Sequence, residues 1–178
     1  MPSARAAASP RPGKPRRAGP SLRFEEKIKA PGDAARWVAD LARPLVFTNG
    51  VFDLLHRGHV TYLAQARELG AALVVALNGD ASARRLGKGD GRPVNALEDR
   101  MALVAALGSV DAVTWFDDDT PAALIEALRP EVLAKGGDWP VEAIVGGKET
   151  LARGGRVVSI PFLHQRSSTA LLEKIRKS

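Results

Sequence analysis

Five short apolar runs, each followed by a stretch with helical spacing, constrain this 178-residue chain more than any other feature. Leu45-Val46-Phe47-Thr48, Ala72 to Leu77, Ala112 to Phe116, Val132-Leu133-Ala134 and Arg156 to Ile160 are continuous runs, not alternations of polar and apolar residues. A strand that is apolar on both faces must be covered on both faces, which is the condition of a strand inside a parallel sheet. The segments between them supply the helices. One is capped by Asp33 and runs through Leu41, others cover residues 58–69, 96–107, 120–128 and 141–153, and a terminal helix opens at Ser167 or Ser168. Residues 84–93, rich in Gly, Lys and Arg, read as a loop. The predicted fold is a single α/β domain over residues 21–178, a doubly wound, five-stranded parallel sheet. Such sheets bind ligands beyond the carboxyl ends of their strands, where the strand order reverses. Three polar clusters fall at predicted strand ends: residues 49–59, 78–80 and 135–139.

Composition removes several classes of chemistry. The chain has no cysteine, which excludes disulfides, thiolate catalysis and cysteine-ligated metal sites. No apolar run approaches the roughly 20 residues that cross a bilayer, and the first residues lack the apolar stretch of a secretory signal. We expect a cytoplasmic protein without a membrane partner. The net charge is +6, but residues 1–20 hold five basic residues and no acid, so residues 21–178 carry only +1. The basic stretch is rich in Pro, Ala, Ser and Gly, and is expected to be a disordered tail. It reads either as a solvated leader or as a weak adhesive for nucleic acid or anionic lipid. Its prolines oppose the amphipathic helix of a transit peptide.

Residues Asn49 to His59 carry the chemistry. A buried strand delivers the chain to a loop, and a helix begins near Gly58; the free N–H groups of its first turn favour an anion there. His56 and His59 flank that turn, and each can donate a hydrogen bond to a phosphate oxygen. Gly58 has no Cβ, so a ligand could approach the backbone closely. Asp53 could tie the loop to backbone N–H groups or act as a base, the former being the commoner use of Asp in loops. A zinc pair is a poor reading of the two histidines, because zinc needs three or four ligands and His164 is the only other histidine. Arg166-Ser167-Ser168-Thr169 precedes a helix containing Leu171, Leu172 and Ile175, and reads as a second phosphate cradle or a plain N-cap. Asn78, Asp80 and Asp138 stand at strand ends as candidates for ribose, base or Mg²⁺ contacts. Trp139 could line a nucleotide pocket or simply pack. Arg100 has Ala96 four residues before it, so it has no ion-pair partner there.

Gly50 to His59 resembles the G-x-F-D-x-x-H-x-G-H signature of the nucleotidyltransferase superfamily that includes cytidylyltransferases and several adenylyltransferases. Further stretches are similar to the bacterial heptose 1-phosphate adenylyltransferases: Phe47 to Asp53, Gly91 to Asn95, Glu98-Asp99-Arg100, Asp119-Thr120-Pro121, Lys135-Gly136-Gly137-Asp138-Trp139 and Arg166 to Thr169. The resemblance implies a Rossmann-like domain that moves AMP from ATP onto D-glycero-β-D-manno-heptose 1-phosphate, releasing pyrophosphate, for the lipopolysaccharide inner core. It implies catalytic roles for His56, His59 and Lys88. Nucleotide contacts would come from Asn49, Gly50, Val51, Phe52, Asp53, Gly58, Asn78, Asp80, Lys135, Gly136, Asp138, Trp139, Arg166, Ser167, Ser168 and Thr169. Arg92 and Arg100 would meet the sugar phosphate. Without the family, Lys88 and Arg92 would read as solvated charges. Mg²⁺ is expected as a cofactor, entering on ATP with no protein side chain to hold it. A homodimer is expected, and the heptose kinase that is fused to this domain in some bacteria should here be a separate protein.

Two other readings compete. A glycerol 3-phosphate cytidylyltransferase would share the signature, but Lys135-Gly136-Gly137-Asp138-Trp139 departs from the Gly-Asp-Asp-Trp associated with those enzymes. A nucleic-acid-binding module is suggested only by the pI of about 10.1. With aromatics at 5% and the charge gathered in the tail, the required interleaving of bases and aromatics is missing.

Overall fold

A computed structural model describes residues 23–177 apart from Lys88, Asp90, Asp138 and Gln165. The tail expected over residues 1–20 lies outside the described residues. Five strands form one sheet: β1 (Leu45–Gly50), β2 (Ala72–Asn78), β3 (Ala112–Phe116), β4 (Val132–Gly136) and β5 (Arg156–Ile160). Their order is β3-β2-β1-β4-β5 and every pairing is parallel. The predicted sheet is present, and its order reverses between β1 and β4. β1 pairs with β2 along its whole length, from Leu45 beside Ala72 to Gly50 beside Leu77. It pairs with β4 only at Val46 and Phe47, so the two strands part toward their carboxyl ends and leave a crevice.

The continuous apolar runs are buried on both faces. In β2 the side chains of Leu73, Val75 and Leu77 enter one core layer and those of Ala72, Val74 and Ala76 the other. The first layer is closed by α2 (Arg57–Arg67) through Tyr62, Leu63 and Ala66, and by α4 (Leu97–Ala105) through Met101 and Val104. The second is closed by α1 (Ala34–Trp37) and α5 (Ala122–Leu128), through Trp37, Leu124, Ile125 and Leu128. The edge strand β3 is shielded by the chain that precedes α1. Ile28 bridges Val113, and Lys29 N–H donates to the Val113 carbonyl at 2.8 Å.

Local structure departs from the sequence reading at four places. The helix expected from Asp33 to Leu41 is one α-turn, α1, between 3-10 turns at Pro31–Asp33 and Val38–Asp40. The loop expected over 84–93 begins inside a short helix, α3 (Asp80–Arg85), which buries only Ser82 and Ala83 and so has no apolar stripe to betray it. The 120–128 helix starts at Ala122, just past Pro121. The single helix expected over 141–153 is a 3-10 turn at Val141–Ala143 followed by α6 (Gly147–Ala152). Gly146 separates the two with φ 76°, and a Cβ there would approach Ile125 Cγ2 at 2.7 Å. The last helix, α7 (Ser168–Arg176), buries no residue fully.

Candidate functional site

The crevice between β1 and β4 opens into a cleft of about 400 Å³. The loop from Asn49 to His59 forms one wall. Phe52 occupies left-handed backbone space, with φ 49°, which costs a bulky residue about 1–3 kcal/mol and marks a position fixed by its surroundings. Its ring is buried and meets the edge of His59 with centroids 5.4 Å apart. His59 in turn stacks on His56, 3.8 Å between centroids and 17° between planes. His56 is the N-cap of α2, its Nδ1 accepting from the His59 N–H at 3.4 Å. Burial lowers its pKa from the usual 6.5. A neutral imidazole that accepts at Nδ1 carries its proton on Nε2, leaving that nitrogen as the donor.

Beside Gly58, a Cβ would lie 3.0 Å from His56 Nδ1 and 3.2 Å from the His164 carbonyl. Its missing side chain makes room for the His56 ring and the His164 backbone. Asp53 is buried and holds the adjoining loop: Oδ1 accepts from the N–H groups of Val94 and Asn95 at 2.8 and 3.0 Å. Oδ2 lies 2.6 Å from Arg92 Nε as an ion pair without aligned hydrogen-bond geometry. The reading of Asp53 as a loop anchor fits these bonds.

Lys135 and Asn49 face each other across the strand reversal. Lys135 Nζ lies 3.2 Å from Asn49 Oδ1 and 5.7 Å from the Trp139 ring centroid. Arg166, Ser167, Ser168 and Thr169 also line the cleft. Ser167 is the N-cap of α7, accepting from the Ala170 N–H at 3.1 Å, and Ser168 Oγ donates to the Leu54 carbonyl at 3.0 Å. The N-cap of α7 is thus also part of the cleft lining.

The cleft gathers Asn49, Gly50, Val51, Phe52, Asp53, His56, His59, Arg92, Lys135, Gly136, Trp139 and residues 166–169. Three other candidates lie beneath or beside it. Arg100 is fully buried, where the sequence reading had it meeting a sugar phosphate. Its guanidinium donates to the carbonyls of Asn95, Val51 and Asn78 and pairs with Asp80 at 2.7 Å, tying the signature loop to the ends of β2 and α4. Four of its five N–H donors are used in these bonds, and the side chain has no surface open to the cleft. Asp80 is its counter-ion, and Asn78 Nδ2 donates to Ser82 Oγ at 3.0 Å. Lys88 and Asp138 lie outside the described residues.

Sequence reasoning missed Tyr62 and Phe162, which also line the cleft. Tyr62 lies in the core cluster with Leu63 and Ala66 of α2. Its hydroxyl joins Thr48 Oγ1 at 2.5 Å and donates to the Ala134 carbonyl at 3.2 Å, and burial raises its pKa. Phe162 packs edge-on against Tyr62, and no spacing signal preceded it. Among the described residues no three His, Cys, Asp or Glu side chains gather to hold a metal ion, and no helix is long and apolar enough to cross a membrane.

The comparisons agree with this geometry. The cytidylyltransferase-like family model matches residues 47–173, which run from β1 into α7. The D-beta-D-heptose 1-phosphate adenylyltransferase of Bordetella bronchiseptica is 58% identical over 159 residues, covering 88% of this chain and 98% of that protein. The bifunctional protein HldE of Hahella chejuensis is 51% identical over 90% of this chain, which spans only 33% of that longer relative. The lipopolysaccharide core biosynthesis protein from Thermoplasma volcanium superposes with a TM-score of 0.55 at 26% identity, over 68% of this chain and 98% of its own. Pantothenate synthetase from Thermus thermophilus shares the fold, with a TM-score of 0.57 at 17% identity over 85% of this chain and 70% of its own. The chain belongs to the cytidylyltransferase-like family of nucleotidyltransferases.

Proposed function

We propose that this chain transfers AMP from ATP to D-glycero-β-D-manno-heptose 1-phosphate, giving ADP-heptose for the lipopolysaccharide inner core. The observation that carries the reaction is the stacked His56–His59 pair at the start of α2, which lines one cleft together with the first turn of α7. The Bordetella relative, matched over nearly its whole length, selects the nucleotide and the acceptor. A phosphate oxygen of the sugar phosphate attacks the α-phosphorus of ATP, the bond from that phosphorus to the bridging oxygen breaks, and pyrophosphate leaves with the electron pair. The nucleophile is already an anion, so no side chain need remove a proton. Catalysis is then positioning and charge stabilisation. His56 offers its Nε2–H to the transferring phosphoryl, and Arg166 and the N–H groups of α7 hold the triphosphate. Arg92, steadied at Nε by Asp53, presents its outer nitrogens to the acceptor phosphate. ATP enters as its magnesium complex. The magnesium would neutralise triphosphate charge, while the Asp53 carboxylate, engaged by Arg92 and two backbone N–H groups, would hold the loop and not the ion. An enzyme using this substrate works in the cytoplasm, where ATP is made.

The test is kcat, ATP Kd and melting temperature for His56→Ala and His59→Ala beside the parent. Each change should lower kcat by roughly 10²–10³-fold, as the loss of one oxyanion-type donor does, with ATP affinity falling far less. Equal loss of ATP binding and turnover would overturn the transition-state role.

A further inference from the structure

The pairing of β1 with β4 stops just short of the cleft. The two strands are in register at Val46 with Val132 and at Phe47 with Leu133. In that register Thr48 would come next to Ala134 and Asn49 next to Lys135, but the pairing ends before either. Strands that part inside a sheet leave backbone groups for something else to satisfy. Between Thr48 and Ala134 it is a side chain from α2. The Tyr62 hydroxyl donates to the Ala134 carbonyl at 3.2 Å and meets Thr48 Oγ1 at 2.5 Å, so a single oxygen joins both strands.

Packing alone does not call for that oxygen. Tyr62 is buried in the same core layer as Val46, Leu63 and Ala134, where the ring of a phenylalanine would fill the space equally well. The ring is held closely. A Cβ at Gly136 would lie 3.3 Å from Tyr62 Cδ2 and 2.8 Å from Phe162 Cε1, so both rings approach β4 only because that residue has no side chain. Burial raises the hydroxyl's pKa, which keeps its proton in place for the Ala134 carbonyl.

The same residue is tied to the histidines. His59 and Tyr62 are three residues apart on one face of α2, and His56, the N-cap of that helix, stacks on His59. Fixing α2 at Tyr62 therefore fixes its first turn as well. On the strand side, the residues just beyond the joined pair are Asn49 and Lys135, whose side chains meet at 3.2 Å in the cleft.

We infer that Tyr62 is a positioning residue: its hydroxyl spaces β1 from β4 and so sets where Asn49 and Lys135 stand relative to His56 and His59. The role rests on the proposed AMP transfer. A reaction that depends on positioning and charge stabilisation is sensitive to a displacement of about 1 Å in its donors.

The experiment measures kcat and both KM values, well below every melting temperature, for Tyr62→Phe, Thr48→Val, Thr48→Ser and the Tyr62→Phe/Thr48→Val pair. Tyr62→Phe keeps the ring, Thr48→Val keeps the shape, and Thr48→Ser keeps the hydroxyl. The first two should each lower kcat by roughly tenfold or more, with neither KM moving more than about twofold. The pair should be no worse than the worse single change, since both break one link. Thr48→Ser should retain the parent's kcat. Parent kcat in Tyr62→Phe, losses that multiply in the pair, or a loss that Thr48→Ser shares would overturn the role and leave Tyr62 to packing. Should Tyr62→Phe not fold, the contrast between Thr48→Val and Thr48→Ser decides. A second readout needs no substrate. In crystal structures of the parent and Tyr62→Phe, or Thr48→Val in its place, the gap between Thr48 and Ala134 should differ by about 1 Å, and with it the Asn49–Lys135 contact. An unchanged gap overturns the spacer even where kcat has fallen. A parent that turns over no sugar phosphate with any nucleotide overturns the transfer reading, and those structures then decide the spacer by themselves.

Discussion

Arg92 Nε stands 2.6 Å from Asp53 Oδ2, and that one contact couples the signature loop to a segment 39 residues further along the chain. The Asp53 carboxylate is almost fully buried and is also the acceptor for the N–H groups of Val94 and Asn95. Breaking a buried ion pair from one side leaves the partner charge uncompensated, at a cost of about 3–5 kcal/mol, and the slight exposure of Arg92 places it at the low end. Asp53→Asn keeps an oxygen for the two N–H groups and discharges only the pair. It should lower the melting temperature moderately and raise KM for the sugar phosphate more than KM for ATP. Equal effects on both substrates would show that Asp53 shapes the whole loop and does not aim Arg92.

Arg100 predicts the opposite balance. Its side chain is wholly buried and satisfies three carbonyls and a carboxylate from three separate segments. Arg100→Met fills much of the space but strands those acceptors, a loss of about 3–5 kcal/mol. Chemical denaturation should show that loss, and whatever activity persists should retain the parent's KM for the sugar phosphate. A stable variant with a raised KM would return Arg100 to the substrate.

Much of this was readable from residues alone. Continuous burial of both faces follows directly from runs such as Ala72 to Leu77, and the turn that brings His56 and His59 to the cleft follows from the strand, loop and helix spacing around Gly58. Arg100 could not be placed that way. Its neighbours in sequence say nothing of the carbonyls of Val51 and Asn78, which reach it only because β1 and β2 end side by side. α3 was invisible because two small residues are all that it buries.

His56 gives the enzyme a pH dependence of known sign. Burial lowers its folded pKa below the ordinary 6.5, so the unfolded chain binds the proton first as pH falls. The neutral ring's contribution is complete above pH 6.5 and is lost as pH drops through the lower folded value. Melting temperature measured from pH 8 down to about pH 5 should fall more steeply for the parent than for His56→Asn, which keeps an N-cap acceptor and does not titrate. Parallel curves would mean that His56 titrates alike in both states.

The chain before α1 should tolerate shortening only up to a point. Starting at Ser21 removes five basic residues and spares the segment that shields β3, so activity and melting temperature should match the full chain. Starting at Ala30 removes Phe24 and Ile28 from the core and uncovers the β3 edge at Val113. That form should melt lower and aggregate, which light scattering during thermal unfolding would register. An inert second truncation would show that the shield is dispensable.

The most direct measurement is pyrophosphate release by the full chain with ATP, CTP, GTP and UTP in turn, each paired with heptose 1-phosphate and with glycerol 3-phosphate. ATP with heptose 1-phosphate should exceed CTP by at least about tenfold in kcat/KM, a difference of about 1.4 kcal/mol in transition-state binding. Glycerol 3-phosphate should be turned over far more slowly with every nucleotide. Equal use of CTP, or glycerol 3-phosphate at a comparable rate, would contradict the account and make the chain a cytidylyltransferase.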